Sequence, residues 1–232
     1  MLESQTTIDG FKLAAAERAV AMIADGMTVG LGSGTTAEFA LAALAVRVAG
    51  GLKVSGVPTS ERTAGLAREC GIPLAPFDGR PIDLAIDGAD EIERDTLNLI
   101  KGGGGNLVRE KLIARASRRF IVIADERKLV DRLGAHVPLP VALLPFARQL
   151  ALHELAALGA AGTIRQTGGR DFVTDDGLMI ADCACGAIAD AKTLATRIAA
   201  IPGVVDSGLF LGLAAEAIVA GRTGVGVLSP VK

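Results

Sequence analysis

Residues 27–48, MTVGLGSGTTAEFALAALAVRV, join a short apolar run, a glycine-rich turn and a stretch with helical periodicity. This pattern predicts a strand at 27–31, a tight turn at 32–34 and a helix at 36–48. Upstream, apolar positions at helical spacing predict a further helix at 10–24, ending at Asp25-Gly26. A strand that leads through a glycine turn into a helix is the repeating unit of an α/β fold.

The same alternation continues through the first half of the chain. We predict strands at 53–57, 82–86 and 120–124, and helices at 60–69 and 106–116. The strands are apolar throughout, as expected when both faces of a parallel sheet are covered. The sequence therefore predicts a Rossmann-like parallel sheet covered by helices.

A change of character follows near residue 134. Pro138, Pro140 and Pro145 lie close together, which indicates a crossing between structural units. Beyond them we predict a small α+β unit with an antiparallel sheet. Its predicted elements are helices at 146–158 and 190–200, a strand at 163–166, and a hairpin of 172–174 with 178–182 around Asp175-Asp176-Gly177.

Segments 208–213 and 225–228 are predicted to return the chain to the first sheet. The predicted division is thus a larger Rossmann-like α/β domain of residues 1–133 plus 208–232 and a smaller inserted α+β domain of residues 134–207, with an antiparallel sheet and helices.

Composition excludes several classes of protein. The 232 residues are 50% hydrophobic with no Trp or Tyr, and the formal net charge is -2. There is no basic surface to hold nucleic acid, few aromatic rings for bases to stack on, and no apolar run of the ~20 residues that span a membrane. Residues 1–7 lack the features of a secretory signal, and three cysteines cannot all pair. We expect a cytoplasmic protein with no nucleic-acid or membrane partner.

The first candidate site is the turn Gly32-Ser33-Gly34-Thr35-Thr36. Free N–H groups at the start of a helix attract anions, and the three hydroxyls add donors, so the turn predicts a phosphate site. It lacks the Gly-Lys-Ser/Thr ending of a nucleotide P-loop and does not match the GxGxxG dinucleotide pattern. A helix-capping turn without a ligand is the alternative.

The second candidate is Asp87-Gly88-Ala89-Asp90-Glu91, at the carboxyl end of the predicted strand 82–86. Ligands of open parallel sheets collect outside those ends. Two carboxylates at this spacing can lie close enough to change each other's proton affinity. The alternative is an acidic turn that caps a helix.

The third candidate runs from Lys101 through four glycines, 102–105, into a helix that carries Glu110. Lys101 could stabilise a developing oxyanion, and the glycines would let a substrate approach the backbone. Glu110 could act as a general base. A solvated helix acid and a surface-loop lysine are the alternatives, but neither explains four consecutive glycines.

Together these motifs resemble the type A family of ribose-5-phosphate isomerases. The similarity covers essentially the whole chain: G-x-G-S-G-T-T, D-G-A-D-E-I, K-G-G-G-G, R-E-K, A-D-x-x-K at 124–128 and I-P-G-V-V…G-L-F at 201–210. The resemblance implies a Rossmann-like domain with an inserted α+β lid. It also implies an isomerase that interconverts D-ribose 5-phosphate and D-ribulose 5-phosphate in the pentose phosphate pathway of carbohydrate metabolism, without a metal or cofactor, as a homodimer or homotetramer.

The resemblance also assigns roles. Glu110 corresponds to the base that moves a proton between C1 and C2 through a cis-enediolate. Lys101 would hold the developing charge, Asp87 matches an acid involved in ring opening, and Asp90 is its neighbour in the motif. The implied substrate-binding residues are Ser33, Gly34, Thr35, Thr36, Gly88, Ala89, Gly102, Gly103, Gly104, Lys128 and Lys12.

Other functions remain as alternatives. A sugar-phosphate-binding regulatory module would need the phosphate turn but not Lys101 or Glu110, and no DNA-binding helix pair is visible. A different isomerase or a transferase acting on a related sugar phosphate could use the same fold. Metal-dependent hydrolysis is disfavoured, because His136 and His153 lack the spacing of metal ligands.

Overall fold

The computed structural model describes residues 4–231. Residues 1–3 and 232, which belong to the larger predicted domain, lie outside the described residues, and so does the start of the segment compared with a secretory signal. Within residues 4–231 the α-helices are α1 (Gln5–Val20), α2 (Thr35–Ala49), α3 (Glu61–Glu69), α4 (Leu107–Ala116), α5 (Arg148–Ala157) and α6 (Ala191–Ala199), with 3-10 turns at Glu126–Lys128 and Pro145–Ala147.

The strands of the same residues are short. They are β1 (Thr28–Leu31), β2 (Ser55–Pro58), β3 (Leu84–Asp87), β4 (Glu91–Glu93), β5 (Leu99–Ile100), β6 (Phe120–Asp125), β7 (Leu129–Val130), β8 (Leu139–Leu143), β9 (Gly162–Ile164), β10 (Gln166–Thr167), β11 (Arg170–Asp171), β12 (Met179–Cys183), β13 (Val204–Ser207), β14 (Leu209–Phe210), β15 (Glu216–Gly221) and β16 (Gly224–Leu228).

The main sheet has the order β16-β15-β6-β3-β1-β2. Its strands from β15 to β2 are parallel, and β16 pairs antiparallel with β15. The parallel sheet and the strand and helix order of the first half of the chain are confirmed. Helix α1 begins earlier than predicted, because Ser4 caps it by accepting a hydrogen bond from the Thr7 N–H.

Both faces are buried along the central strand β6, whereas the edge strand β16 is largely exposed, and this burial explains why β6 is apolar up to its last position. Phe120, Val122 and Ala124 pack in one hydrophobic cluster with α4. Ile121 and Ile123 pack in another cluster with α1 and α2. Successive side chains of a strand point to opposite faces, so covering both faces requires an unbroken apolar run.

A second sheet, β13-β8-β12-β9, is antiparallel and packs with α5 and α6 around its own core. We call residues 139–207 the antiparallel unit. The fold class, a parallel sheet with helices plus separate antiparallel strands, is confirmed. The predicted domain boundaries at 134 and 207 stay a prediction.

The hairpin predicted from residues 172–174 and 178–182 is wrong in its extent. An antiparallel bridge joins Val173 to Met179, and the Thr174 N–H donates to the Leu178 carbonyl at 2.9 Å, but β12 pairs along its length with β8 and β9. The Asp175-Asp176-Gly177 turn exists, but its two carboxylates bind α3 and α4: Asp175 accepts from the Glu61 N–H and Asp176 from Arg109. Those contacts dock the turn on the main domain.

The predicted return of 208–213 to the main sheet is also wrong. Strand β14 pairs antiparallel with β5 in a separate sheet of order β14-β5-β4-β7. The return is made by β15, which the sequence analysis missed, and by β16, which contains the predicted 225–228 segment. The alanine-rich β15 is a strand because it is buried between β6 and β16, and tertiary packing overrides its weak β propensity.

In the part of the chain that the structure describes, none of the helices has the length and apolar content to cross a membrane.

Substitutions at two glycines test how closely the main sheet is packed. A Cβ on Gly30 would lie 2.6 Å from Ile113 Cγ2 and 2.7 Å from Ala85 Cβ, whereas one on Gly10, exposed in α1, would have nothing within 4 Å. We expect Gly30→Ala to lower the free energy of unfolding by about 1–3 kcal/mol through overpacking. The control Gly10→Ala should raise it by roughly 0.5–1 kcal/mol. Urea unfolding measures both, and equal effects would contradict the packing argument.

Candidate active site

The candidate site is a cavity of about 170 Å³ at the carboxyl ends of β1, β3 and β6. Ligands of open parallel sheets bind at this edge. Its lining residues are Lys12, Ser33, Gly34, Thr35, Thr36, Gly88, Ala89, Asp90, Lys101, Gly102, Gly103, Gly104, Glu110, Asp125, Arg127 and Lys128. The catalytic and substrate-binding candidates predicted from the sequence are among these residues except Asp87, which is buried 3.0 Å from the Nζ of Lys101.

A buried cation between two carboxylates forms the centre of the site. Lys101 Nζ lies 3.0 Å from Asp87 Oδ2 and 3.4 Å from Glu110 Oε2, and it donates to the Gly88 carbonyl at 2.7 Å. The three charged side chains are only 3–4% exposed. They come from β3, from the loop before α4 and from α4 itself, so the tertiary fold assembles the cluster.

Ser33 connects the two carboxylates. Its hydroxyl donates to Glu110 Oε1 at 2.7 Å, and its N–H donates to Asp87 Oδ1 at 3.1 Å. The other Glu110 oxygen, Oε2, has no hydrogen-bond partner among residues 4–231, because Lys101 is near it but not aligned for a hydrogen bond. One oxygen is thus held by Ser33, and the other is a buried acceptor without a hydrogen-bond partner among these residues.

The turn before α2 has to be glycine-rich at Gly32, where the backbone passes directly against Asp87. A Cβ on Gly32 would lie 2.6 Å from the Asp87 Cα and would overlap its carboxylate. Gly34 has φ +90°, in the left-handed region, and its helix start has no side-chain cap. The N–H groups at the start of α2 therefore remain available to an anion, as the phosphate prediction requires.

Two lysines add positive charge to the cavity. Lys12 Nζ donates to Thr35 Oγ1 at 3.1 Å, beside the start of α2, and Lys128 lines the same cavity from the 3-10 turn after β6. Lys12 and the N-terminus of α2 make this part of the cavity suited to a phosphate group.

Two lining residues, Asp125 and Arg127, were not predicted from the sequence. Asp125 ends β6 and pairs with Arg127 through two contacts, Nε–Oδ1 at 2.7 Å and Nη2–Oδ2 at 3.2 Å. Burial would raise the pKa of Asp125, but Arg127 and Lys128 hold it below its usual value. The signal was available, since Asp125 lies within the A-D-x-x-K motif at the end of a predicted strand.

The glycine loop after Lys101 follows the shape of the cavity wall. Gly102 and Gly105 have φ +105° and +87°. The Gly103 N–H donates to Asp90 Oδ2 at 2.8 Å, and a Cβ on Gly103 would lie 2.7 Å from Asp90 Oδ1. The loop thus holds the Asp90 carboxylate at the cavity surface.

Arg109 and Lys111, which flank Glu110, point away from the cavity toward the antiparallel unit. Arg109 Nε donates to Asp176 Oδ1 at 2.9 Å, and Lys111 Nζ contacts Asp206 Oδ1 at 2.5 Å. The R-E-K motif therefore places one cation on each side to anchor α4, with the carboxylate between them directed into the site.

Protonation in the cluster follows from burial and charge. Burial raises the pKa of Asp87 to about 7, with Glu110 adding to the rise and Lys101 opposing it. Burial alone would lower the pKa of Lys101, but Asp87 and Glu110 raise it well above its usual value. Lys101 therefore stays charged at every working pH, while Asp87 can change its protonation near neutrality.

Over residues 4–231, no group of three or more His, Cys, Asp or Glu side chains is placed to hold a metal ion.

Comparisons with known sequences identify a family to which this chain is similar. A family model described as ribose 5-phosphate isomerase A (phosphoriboisomerase A) matches residues 55–224. The ribose-5-phosphate isomerase A of Gloeobacter violaceus is 50% identical over 224 residues, covering 96% of this chain and 97% of the relative. That of Roseiflexus castenholzii is 51% identical over 219 residues, covering 93% of each.

Solved structures with similar names superpose on this chain. Ribose 5-phosphate isomerase A from Methanocaldococcus jannaschii superposes with a TM-score of 0.91 at 39% identity, covering 95% of this chain and 99% of that one. A D-ribose-5-phosphate isomerase in complex with phospho-erythronic acid superposes with a TM-score of 0.92 at 37% identity, covering 96% and 99%.

The raised pKa of Asp87 predicts a pH dependence of stability. Between about pH 4 and pH 7 the folded protein binds more protons at Asp87 than the unfolded chain, so its contribution to the free energy of unfolding falls as pH rises. Asp87→Asn removes this titration. The stability of the wild type minus that of Asp87→Asn should therefore fall from about pH 5 to about pH 8, measured by urea unfolding.

Asp131→Asn controls for the loss of one negative charge, since that side chain is 95% exposed. A wild-type advantage over Asp87→Asn that stays constant or grows with pH would refute the raised pKa.

Proposed function

Because this chain belongs to the ribose 5-phosphate isomerase A family, and so interconverts D-ribose 5-phosphate and D-ribulose 5-phosphate, we propose that Glu110 is the base of that reaction and Lys101 its charge stabiliser. The observation that carries the proposal is the buried Lys101 between Glu110 and Asp87, at the wall of a cavity with a cationic end. The roles given to Asp87, Asp90 and the substrate-binding residues are part of the same proposal.

The reaction needs a base and a place for negative charge, because a C–H next to a carbonyl is a weak acid. The Glu110 carboxylate, which lines the cavity, takes the proton from C2 of the open-chain aldose. The electron pair enters a cis-enediolate, the O2 hydroxyl proton moves to O1, and Glu110 returns its proton to C1. A positioned carboxylate contributes about 10²–10⁴-fold to such a transfer.

Lys101 is placed to stabilise the negative charge that moves from Glu110 to the substrate. When Glu110 takes the proton it becomes neutral, and the negative charge appears on the two oxygens of the enediolate. Lys101 lies 3.4 Å from Glu110 and its raised pKa keeps it cationic, so the positive charge is already in place. Such preorganised charge stabilises the transition state without reorganisation.

The aspartates differ in their placement. Asp90 reaches the cavity, where the Gly103 N–H holds it, so we assign to it contact with the sugar hydroxyls. Asp87 does not line the cavity, and its first role is to hold Lys101 at 3.0 Å. A part in ring opening is consistent with its pKa of about 7, since such a group both donates and accepts protons near neutral pH.

The other end of the cavity binds the phosphate. Lys12, Lys128 and the N-terminus of α2 supply positive charge there. Ser33, Gly34, Thr35, Thr36, Gly88, Ala89, Gly102, Gly103 and Gly104 complete the substrate-binding surface. Binding energy from a phosphate distant from C1 and C2 helps hold a small flexible sugar in reacting geometry.

Three further points rest on the family resemblance and on composition: turnover without a metal or cofactor, a cytoplasmic location, and assembly as a homodimer or homotetramer. The division into a catalytic domain of 1–133 plus 208–232 and a lid domain of 134–207 has the same standing. A regulatory module that binds sugar phosphate without turnover is not favoured, because the relatives that match this chain along its length are isomerases.

Replacing the base tests the mechanism. Glu110→Gln keeps the shape and can still accept the Ser33 hydrogen bond, but it cannot take a proton. We expect turnover to fall by about 10²–10⁴-fold while sugar-phosphate binding changes little. The assay follows ribulose 5-phosphate by NMR in deuterium oxide with a chelator present, where deuterium should enter at the carbon beside the carbonyl.

The control Glu154→Gln makes the same change on an exposed face of α5. Wild-type turnover in Glu110→Gln would remove Glu110 from its role, and product without deuterium would argue against a proton exchanged through a solvent-accessible enediolate.

A second substitution tests the phosphate end. Lys128→Ala removes a charged donor from the cavity, so kcat/KM should fall by about 10- to 100-fold, mainly through KM. Lys192→Ala, on the exposed surface of α6, is the control. Unaltered KM and kcat/KM in Lys128→Ala would place the phosphate elsewhere.

A further inference from the structure

The glycine loop 102–105 has no side chains of its own to hold its conformation. Glycine populates positive and negative φ about equally, so peptide planes between glycines rotate at little cost. Gly102 and Gly105 already use positive φ. Within the loop the Gly105 N–H donates to the Gly102 carbonyl at 2.9 Å, but the orientation of the Gly103–Gly104 peptide plane depends on contacts from outside the loop.

Arg165, which follows β9 in the antiparallel unit, makes that contact. Its Nη1 donates to the carbonyl oxygens of Gly102 and Gly103, each at 2.9 Å. The guanidinium is fixed in turn by Asp182 through Nε–Oδ2 at 2.9 Å and Nη2–Oδ1 at 2.5 Å. It also lies over the Phe172 ring, 5.8 Å from the centroid.

Phe172 limits the loop from the same side. A Cβ on Gly105 would lie 2.5 Å from Phe172 Cζ, so the backbone passes directly over the ring. The antiparallel unit therefore contacts the loop both at its carbonyl groups and at its last glycine.

Because the peptide bond is planar, the contact of Arg165 with the loop carbonyls also fixes the direction of the N–H groups in the same peptide planes. The described chain has no cis peptide bonds, and in a trans peptide the C=O and the N–H point in opposite directions. With the carbonyls of Gly102 and Gly103 held by Arg165, the N–H groups of Gly103 and Gly104 face the other way. The Gly103 N–H shows the direction, since it donates to Asp90 at the cavity surface.

From this geometry we infer that Arg165 is a positioning residue of the isomerase: it holds the two peptide planes so that N–H donors, not carbonyl oxygens, face the substrate. The inference rests on the proposed function, because it matters most when negative charge develops on the substrate oxygens. A flipped plane would turn a carbonyl dipole toward that charge and release Asp90, replacing stabilisation with repulsion.

The test compares Arg165→Ala and Arg165→Lys with Arg148→Ala. Arg148 makes a similar ion pair with Asp171 in the same unit, at 2.7 Å, but does not line the cavity. For Arg165→Ala we expect kcat to fall by about 10- to 100-fold with a smaller change in KM. Arg165→Lys should lie between, because an ammonium cannot hold Asp182 and both carbonyls together. Arg148→Ala should keep wild-type kcat.

Chemical rescue separates positioning from general stability. Millimolar methylguanidinium should restore much of the kcat of Arg165→Ala, and should not change the wild type or Arg148→Ala. The inference is overturned if Arg165→Ala keeps kcat within twofold of wild type, if Arg148→Ala loses as much, or if neither methylguanidinium nor the lysine variant recovers activity.

If Arg165→Ala does not fold, Arg165→Lys decides: a lower kcat at unchanged Tm supports the inference, and an unchanged kcat overturns it. Glu110→Gln is assayed in parallel. Full turnover in Glu110→Gln would refute only the assignment of Glu110 as the base. The inference about Arg165 would stand, because the kcat of Arg165→Ala and its rescue are compared with the wild-type enzyme.

Discussion

One buried cation between two carboxylates is the constraint on which the rest of the structure depends. An isolated charge is very costly to bury, so Asp87, Lys101 and Glu110 can each lie in the interior only when the others are in place. They come from β3, the glycine loop and α4, and their grouping fixes how these elements pack. The pKa of about 7 at Asp87 shows that Lys101 does not fully offset the cost of burying two negative groups.

This cluster also explains where glycine is needed. At Gly32 the backbone lies against Asp87, and at Gly103 it lies against Asp90, so neither position has room for a side chain. The same close approach leaves N–H groups at the start of α2 and in the loop directed at the cavity. The cavity thus presents backbone donors at two places, and a phosphorylated sugar with many oxygens is a ligand that such a surface suits.

The antiparallel unit takes part in the site through polar contacts to α4 and to the glycine loop, which carry the proposed base Glu110 and the proposed charge stabiliser Lys101. Arg165 holds the loop carbonyls, Asp176 binds Arg109, and Asp206 binds Lys111. Two of these contacts flank Glu110 on α4, and the third fixes the loop that begins with Lys101. The unit therefore helps to fix the orientation of Glu110 and of the loop after Lys101.

The sequence by itself determined the parallel sheet and most of the cavity residues, because apolar strands, glycine turns and adjacent acids are local patterns with direct physical meaning. Lys12 and Lys128 were predicted only through the resemblance to the family. Only the tertiary structure decided that β14 pairs with β5, that β15 completes the sheet, and that the 175–177 turn docks on α3 and α4. It also decided that Asp87 is buried against Lys101 and that Arg165 reaches the loop. Pairings between distant segments depend on burial and charge that each segment acquires only from its partner, and no local pattern contains that information.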